Sequence, residues 1–67
     1  MLVEKFVGVI TIISEMEFEG ELLQALDTVE SDVMNTYEEA MEYIQKNYKK
    51  YGEEFHHAQV KKVFVKA

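Results

Sequence analysis

The sequence predicts an α+β fold, a small antiparallel β-sheet with one main α-helix of residues about 37–51 packed across it. Three observations lead there. Residues 2–13 are dense in β-branched and aromatic side chains, which suit a pleated surface. A capped, amphipathic stretch follows Thr36 and stops at Gly52. A second β-branched run, studded with lysines, lies between Ala58 and Lys66.

In chain order, Leu2 to Ile13 reads as a strand. Apolar groups fall on both of its faces, so it is expected in the middle of the sheet or covered on both sides. Gly8 marks a bulge or a close backbone approach within it. Ser14 to Glu19 alternates strictly, with Met16 and Phe18 on one side and Glu15, Glu17 and Glu19 on the other. At the pitch of an extended chain, about 6.8 Å per repeat of a face, those three carboxylates form a row that imitates backbone phosphates. Gly20 is a turn. In Glu21–Val33 the spacing of Leu22, Leu23, Leu26, Val29 and Val33 and the helix-forming composition favour a short helix or irregular segment, with a second strand as the competitor.

Thr36 and Glu39 form a capping box, in which each side chain satisfies a free backbone donor of the first turn. Tyr37, Ala40, Met41, Ile44, Tyr48 and Tyr51 then share one stripe, with acids at the start of the helix and lysines at its end, as the helix dipole prefers. Tyr43 lies at the border of the stripe, where a tyrosine suits a subunit or partner contact. Gly52 ends the helix, Glu53–His57 is expected to be a loop, and Ala58–Lys66 the last strand.

Sixty-seven residues have room for one domain, 1–67, with a marginal core. The absence of cysteine excludes disulfides and fits a reducing compartment such as the cytoplasm. Self-association is then the expected extra source of stability, as a homodimer. Glu4 and Lys5 interrupt the first apolar run, so it does not read as a secretory leader, and no run is long enough to span a membrane.

Charge is distributed unevenly around a net of −6. From Phe6 to Gln45 there are ten acidic residues and no Lys or Arg, whereas Lys46 onward carries six lysines against Glu53 and Glu54. Such a block costs stability through self-repulsion, and it points to a partner with a positive surface. Direct nucleic-acid binding is not expected of a chain this acidic, despite Lys61, Lys62, Lys66 and Phe64. No catalytic constellation is recognisable. Ser14 and Ser31 lack a nucleophile motif, three glycines build no phosphate loop, and His56 and His57 beside Glu53 and Glu54 do not make a metal site. Neither an enzyme nor a cofactor is expected.

The segment Val29-Glu30-Ser31-Asp32-Val33-Met34 follows the acidic row and resembles the Glu-Ser motif of bacteriophage uracil-DNA glycosylase inhibitors. Those are small, acidic, cysteine-poor α/β proteins that imitate DNA, and their Glu-Ser motif sits on an exposed strand and engages the DNA-binding loops of the enzyme. An apolar pocket beside the motif takes up a side chain of the glycosylase. The resemblance implies that Glu30 and Ser31 are contact residues, with Asp32 beside them, and that Leu22, Leu26, Val33, Met34 and Met41 are candidates for the pocket. The expected partner-binding set is therefore Glu15, Glu17, Glu19, Glu21, Glu30, Ser31, Asp32, Met34 and Tyr43. The expected function is inhibition of a DNA-binding enzyme of a host cell, a glycosylase or a defence nuclease, by DNA mimicry in the host cytoplasm. The alternatives are a structural or regulatory homodimer and an antitoxin-like module.

Overall fold

A computed structural model covers all of residues 1–67. Strands β1 (Leu2–Phe18), β2 (Glu21–Glu30) and β3 (Phe55–Lys66) form one antiparallel sheet in the order β2-β1-β3, and helix α1 (Tyr37–Tyr51) packs on one face of it. The expected α+β class is thus the observed one. β1 is central, the first of the two placements its two-sided apolar pattern allowed, but α1 covers only one of its faces; the run before Gly20 is one continuous strand of 17 residues.

Residues 21–33 do not form the expected helix. Glu19 and Gly20 both have positive φ, 52° and 82°, which is the two-residue hairpin turn whose twist matches that of paired strands. The turn sends the chain straight back along β1, and every position from Phe18↔Glu21 to Val9↔Glu30 is paired. This ladder satisfies backbone groups that a separate helix would leave open on β1, and it overrides the local preference of Glu21–Leu26. Past Glu30 the chain stays along the β1 edge. Ser31 N–H donates to the Gly8 carbonyl at 2.9 Å, and Met34 and Phe6 exchange backbone bonds of 2.7 and 2.9 Å.

The helix begins as its cap predicts. The Glu39 amide donates to Thr36 Oγ1 at 3.2 Å, but only half of the capping box forms: the Glu39 carboxylate accepts from the Thr36 hydroxyl instead of reaching the Thr36 amide. Gly52, with φ 56°, donates its amide to the Tyr48 carbonyl and closes the helix. The expected loop Glu53–His57 is largely absent. Gly52–Glu54 is one turn of 3₁₀ helix, and β3 already starts at Phe55. The Phe55 ring meets Tyr48 edge-on at 5.1 Å, which ties the strand start to α1. Thr11 pairs with His57 and Ile12 with Phe55, so His56 is the extra residue of a bulge.

The core is small. Val7, Val9, Ile10, Ala40 and Ile44 are its buried apolar residues, and Ile10 and Ala40 are fully enclosed. Ala40 and Ile44 face the sheet over Gly8, where an added Cβ would lie 3.0 Å from the Ala40 carbonyl oxygen and 3.0 Å from Tyr43 Cδ1. Gly8 therefore marks a close approach and not a bulge. With no side chain in the way, the helix settles on its Ala40–Tyr43–Asn47 edge, turned by roughly 75° from the centre of the expected stripe by helical geometry. Tyr37 and Tyr48 are left mostly exposed as a result.

Candidate partner-binding surface

β3 pairs with β1 only between Leu2 and Ile12, whereas β2 follows β1 to Phe18. Beyond Ile12 the sheet narrows to a two-stranded arm that ends in the Glu19–Gly20 turn, and the molecule is 52 Å long but 13 Å thin. The arm gathers Glu15, Glu17, Glu19 and Glu21, with Asp27 at its root opposite Ile12, and contains no lysine. The two ion pairs of the chain, Lys46–Glu42 at 3.3 Å and Lys62–Glu4 at 2.6 Å, lie elsewhere. Asp27 accepts a 2.7 Å hydrogen bond from the Ser14 hydroxyl, and the four glutamates of the arm have no charged partner.

The register divides these carboxylates between faces. Glu15 and Glu17 point to the side of the sheet away from α1, opposite Gln24 and Leu22. Glu21, opposite Phe18, and Asp27, opposite Ile12, point to the side that carries α1. Glu19 sits in the turn, so the expected row of three has two members on the strand and a third at the tip. The remaining acids of the block lie apart from the arm. Glu38, Glu39 and Glu42 are on α1, and Glu30 and Asp32 are at the corner where β2 leaves the sheet.

That corner is internally bonded. The Ser31 hydroxyl accepts from the Gly8 amide at 2.8 Å and donates to the Asp32 carbonyl at 2.8 Å, so both of its bonding roles are used within the chain. Glu30 ends β2 beside Val9 and is exposed. The residues expected to form an apolar pocket do not converge. Leu22 and Leu26 are on the arm, 76% and 60% exposed; Met34 borders a small hollow with Glu39, Glu42 and Tyr43; Met41 lines a different groove; and Val33 faces solvent. Tyr43 packs inward against Gly8, and burial first, then the charges of Tyr51 and Asp32, hold its hydroxyl above the ordinary tyrosine pKa.

Sequence reasoning missed the apolar half of the arm. Met16, Phe18, Leu22, Leu23 and Leu26 are all substantially exposed on it. The signal was the Glu-Gly pair between two apolar-rich runs, which reads as a hairpin once its two positive φ values are allowed. The largest concavity, about 710 Å³, is an open groove between α1 and β3 lined by Tyr37, Met41, Tyr48, Phe55 and the two histidines among others. Its wall contains no carboxylate, serine, threonine or cysteine, and no three His, Asp or Glu side chains are arranged to hold a metal. No helix is long and apolar enough to cross a membrane.

Comparison with known protein families, curated proteins and solved structures finds no match to this chain.

Proposed function

We propose that this protein is a non-catalytic inhibitor that binds a DNA-binding protein by presenting the acidic arm where DNA phosphates would lie. The observation that carries this reading is the arm itself: five carboxylates on a protruding hairpin, with no cation on it and no ion pair to the rest of the chain. Glu15 and Glu17 repeat at about 6.8 Å along an extended backbone, and Glu19 extends the charge to the tip. Glu19 is also the chain's only non-glycine residue at positive φ. A glutamate there costs about 1–2 kcal/mol against glycine, and a residue retained at such a cost suits a functional tip. Met16, Phe18 and Leu23 on the same arm add apolar contact area beside the charge. Because Ser31 is bonded internally, Glu30 is the residue of its motif that joins the arm in the contact.

The sharpest named target is a uracil-DNA glycosylase, from the resemblance of Val29–Met34 to the inhibitors of that enzyme. The test is uracil excision by a bacterial glycosylase with increasing protein. Inhibition is expected to compete with DNA, to weaken as salt rises, and to fall at least about tenfold in the double variant Glu19→Lys, Glu21→Lys. Excision that continues unchanged at micromolar protein removes the glycosylase as target. An arm reversal that leaves inhibition intact removes DNA mimicry.

A further inference from the structure

The sheet has two faces and α1 covers only one. On the other lie Val3, Val7, Val9 and Ile13 of β1, flanked by Val63 of β3 and Leu26 of β2. This apolar strip has opposite charges at its two ends. Lys5 and Lys61 are at the base, where β3 pairs with β1, and Glu15 and Glu17 are on the arm. None of the four has an ion-pair partner within the chain, and the Lys5 ammonium is bonded to the neutral side chain of Asn35.

We propose that two copies of this chain pack through the helix-free face, antiparallel, so that the arm of each lies over the base of the other. The first argument is area. The chain exposes 5301 Å², about 900 Å² more than the roughly 4400 Å² expected of a folded monomer of this size. That excess is close to the ~800 Å² each partner gives up in a standard interface. A two-stranded hairpin is marginal alone in water, and this one keeps Leu22 and Leu26 on the uncovered face at 76% and 60% exposure. Val7 and Val9 are already shielded by their neighbours, so the new contact is made chiefly by Leu22 and Leu26 of the arm against the β2 side of the other copy's base, beside Val3.

The second argument is charge, and it selects the orientation. Lys5 and Glu15 stand five positions either side of Ile10 on β1. A two-fold axis across the strands near Ile10 brings the basic base of one copy over the acidic arm of the other, at both ends of the interface. A two-fold axis along the strands sets lysine over lysine and glutamate over glutamate, which costs several kcal/mol. The charged ends of the face are therefore matched in one arrangement only, in which Glu30, exposed on the same face opposite Val9, meets its own copy near the axis. Such a dimer covers Glu15 and Glu17 and leaves Glu19 and Glu21 outside, so self-association and capture of a basic partner overlap in part and are separable by residue.

Sedimentation of three proteins tests this. The chain itself is expected to be dimeric. The base reversal Lys5→Glu, Lys61→Glu and the arm reversal Glu15→Lys, Glu17→Lys are each expected to be monomeric, with self-association weakened about tenfold or more. An equimolar mixture of the two reversed proteins is expected to form a heterodimer, because each base then meets an arm of opposite sign. That recovery also shows both variants to be folded. The proposal is overturned if the chain is monomeric at high concentration, if either reversal alone leaves the dimer intact, or if the mixture stays monomeric. Glu21→Lys belongs to the partner-binding surface and leaves the dimer unchanged, so failure of one proposal is distinguishable from failure of the other.

Discussion

Gly8 sets the distance between helix and sheet. A methyl group there meets a backbone carbonyl, Ala40 O, at 3.0 Å, and a main-chain atom held in a helix has nowhere to move. Gly8→Ala is therefore expected to lower stability by about 1–3 kcal/mol in urea denaturation, by overpacking alone, since Gly8 is not among the positive-φ glycines. Tyr43 lies on the same contact, and its environment gives a pH dependence. Its folded pKa is above the unfolded value, so the folded state keeps the proton longer. Stability contributed this way is fully present below the ordinary value of about 10 and is lost as pH rises through the folded value. Denaturation midpoints of the chain and of Tyr43→Phe are thus expected to converge or cross as the solution is made alkaline, with the variant losing less. Of these two residues the sequence marked Gly8 as one of two things and Tyr43 as a border residue. Their contact joins positions 35 apart in the chain, which no local pattern reports.

The hairpin arm is the element in which local and global preferences disagree. Leucines at helical spacing and a run of helix formers occupy Glu21–Leu26, yet the segment is a strand because β1 offers an unpaired edge and the Glu19–Gly20 turn delivers the chain to it. Asn tolerates the left-handed conformation that Glu19 holds, so Glu19→Asn is expected to stabilise the fold by about 0.5–1 kcal/mol in thermal unfolding while weakening any interaction that uses the tip charge. A variant that gains stability and keeps full partner affinity would separate Glu19 from the binding surface. The helix, by contrast, was legible almost to the residue. Thr36, the acidic first turn, the lysines of the last turn and Gly52 are local signals that hold in the folded chain, and only the Glu39 half of the capping box fails to form. What they do not specify is rotation about the helix axis. That is set by Gly8 across the interface, and it leaves Tyr37 and Tyr48 outside while Tyr43 turns in.

The whole molecule is an elongated plate and not a globule. Its radius of gyration is 14.9 Å, where a compact chain of this length has about 11 Å. Most of the excess comes from β1, which runs past β3 at one end, so the sheet is three strands wide at the base and two at the arm. This asymmetry separates charge. The arm carries five carboxylates and no cation, −5 of the net −6, whereas outside it all seven lysines nearly balance eight acids, with only the Lys62–Glu4 and Lys46–Glu42 pairs made internally. Exposed pairs of that kind contribute at most about 1 kcal/mol, so they do not draw the two ends together. The long-range field of the molecule is accordingly that of a rod with one acidic end, which favours either a basic partner at the arm or a second copy turned end for end.

Composition and periodicity were sufficient for the α+β class, the central position of β1, the start and stop of α1 and the absence of cations between Phe6 and Gln45, because each depends on neighbours within a few residues or on simple counts. The division of the acidic block among the arm, the helix and the Ser31 corner, the inward turn of Tyr43 and the bare sheet face opposite α1 follow from which strand lies against which, and in what register. Because side chains alternate across a strand, each paired position assigns a carboxylate or a leucine to one face, and that assignment exists only once the strands have met.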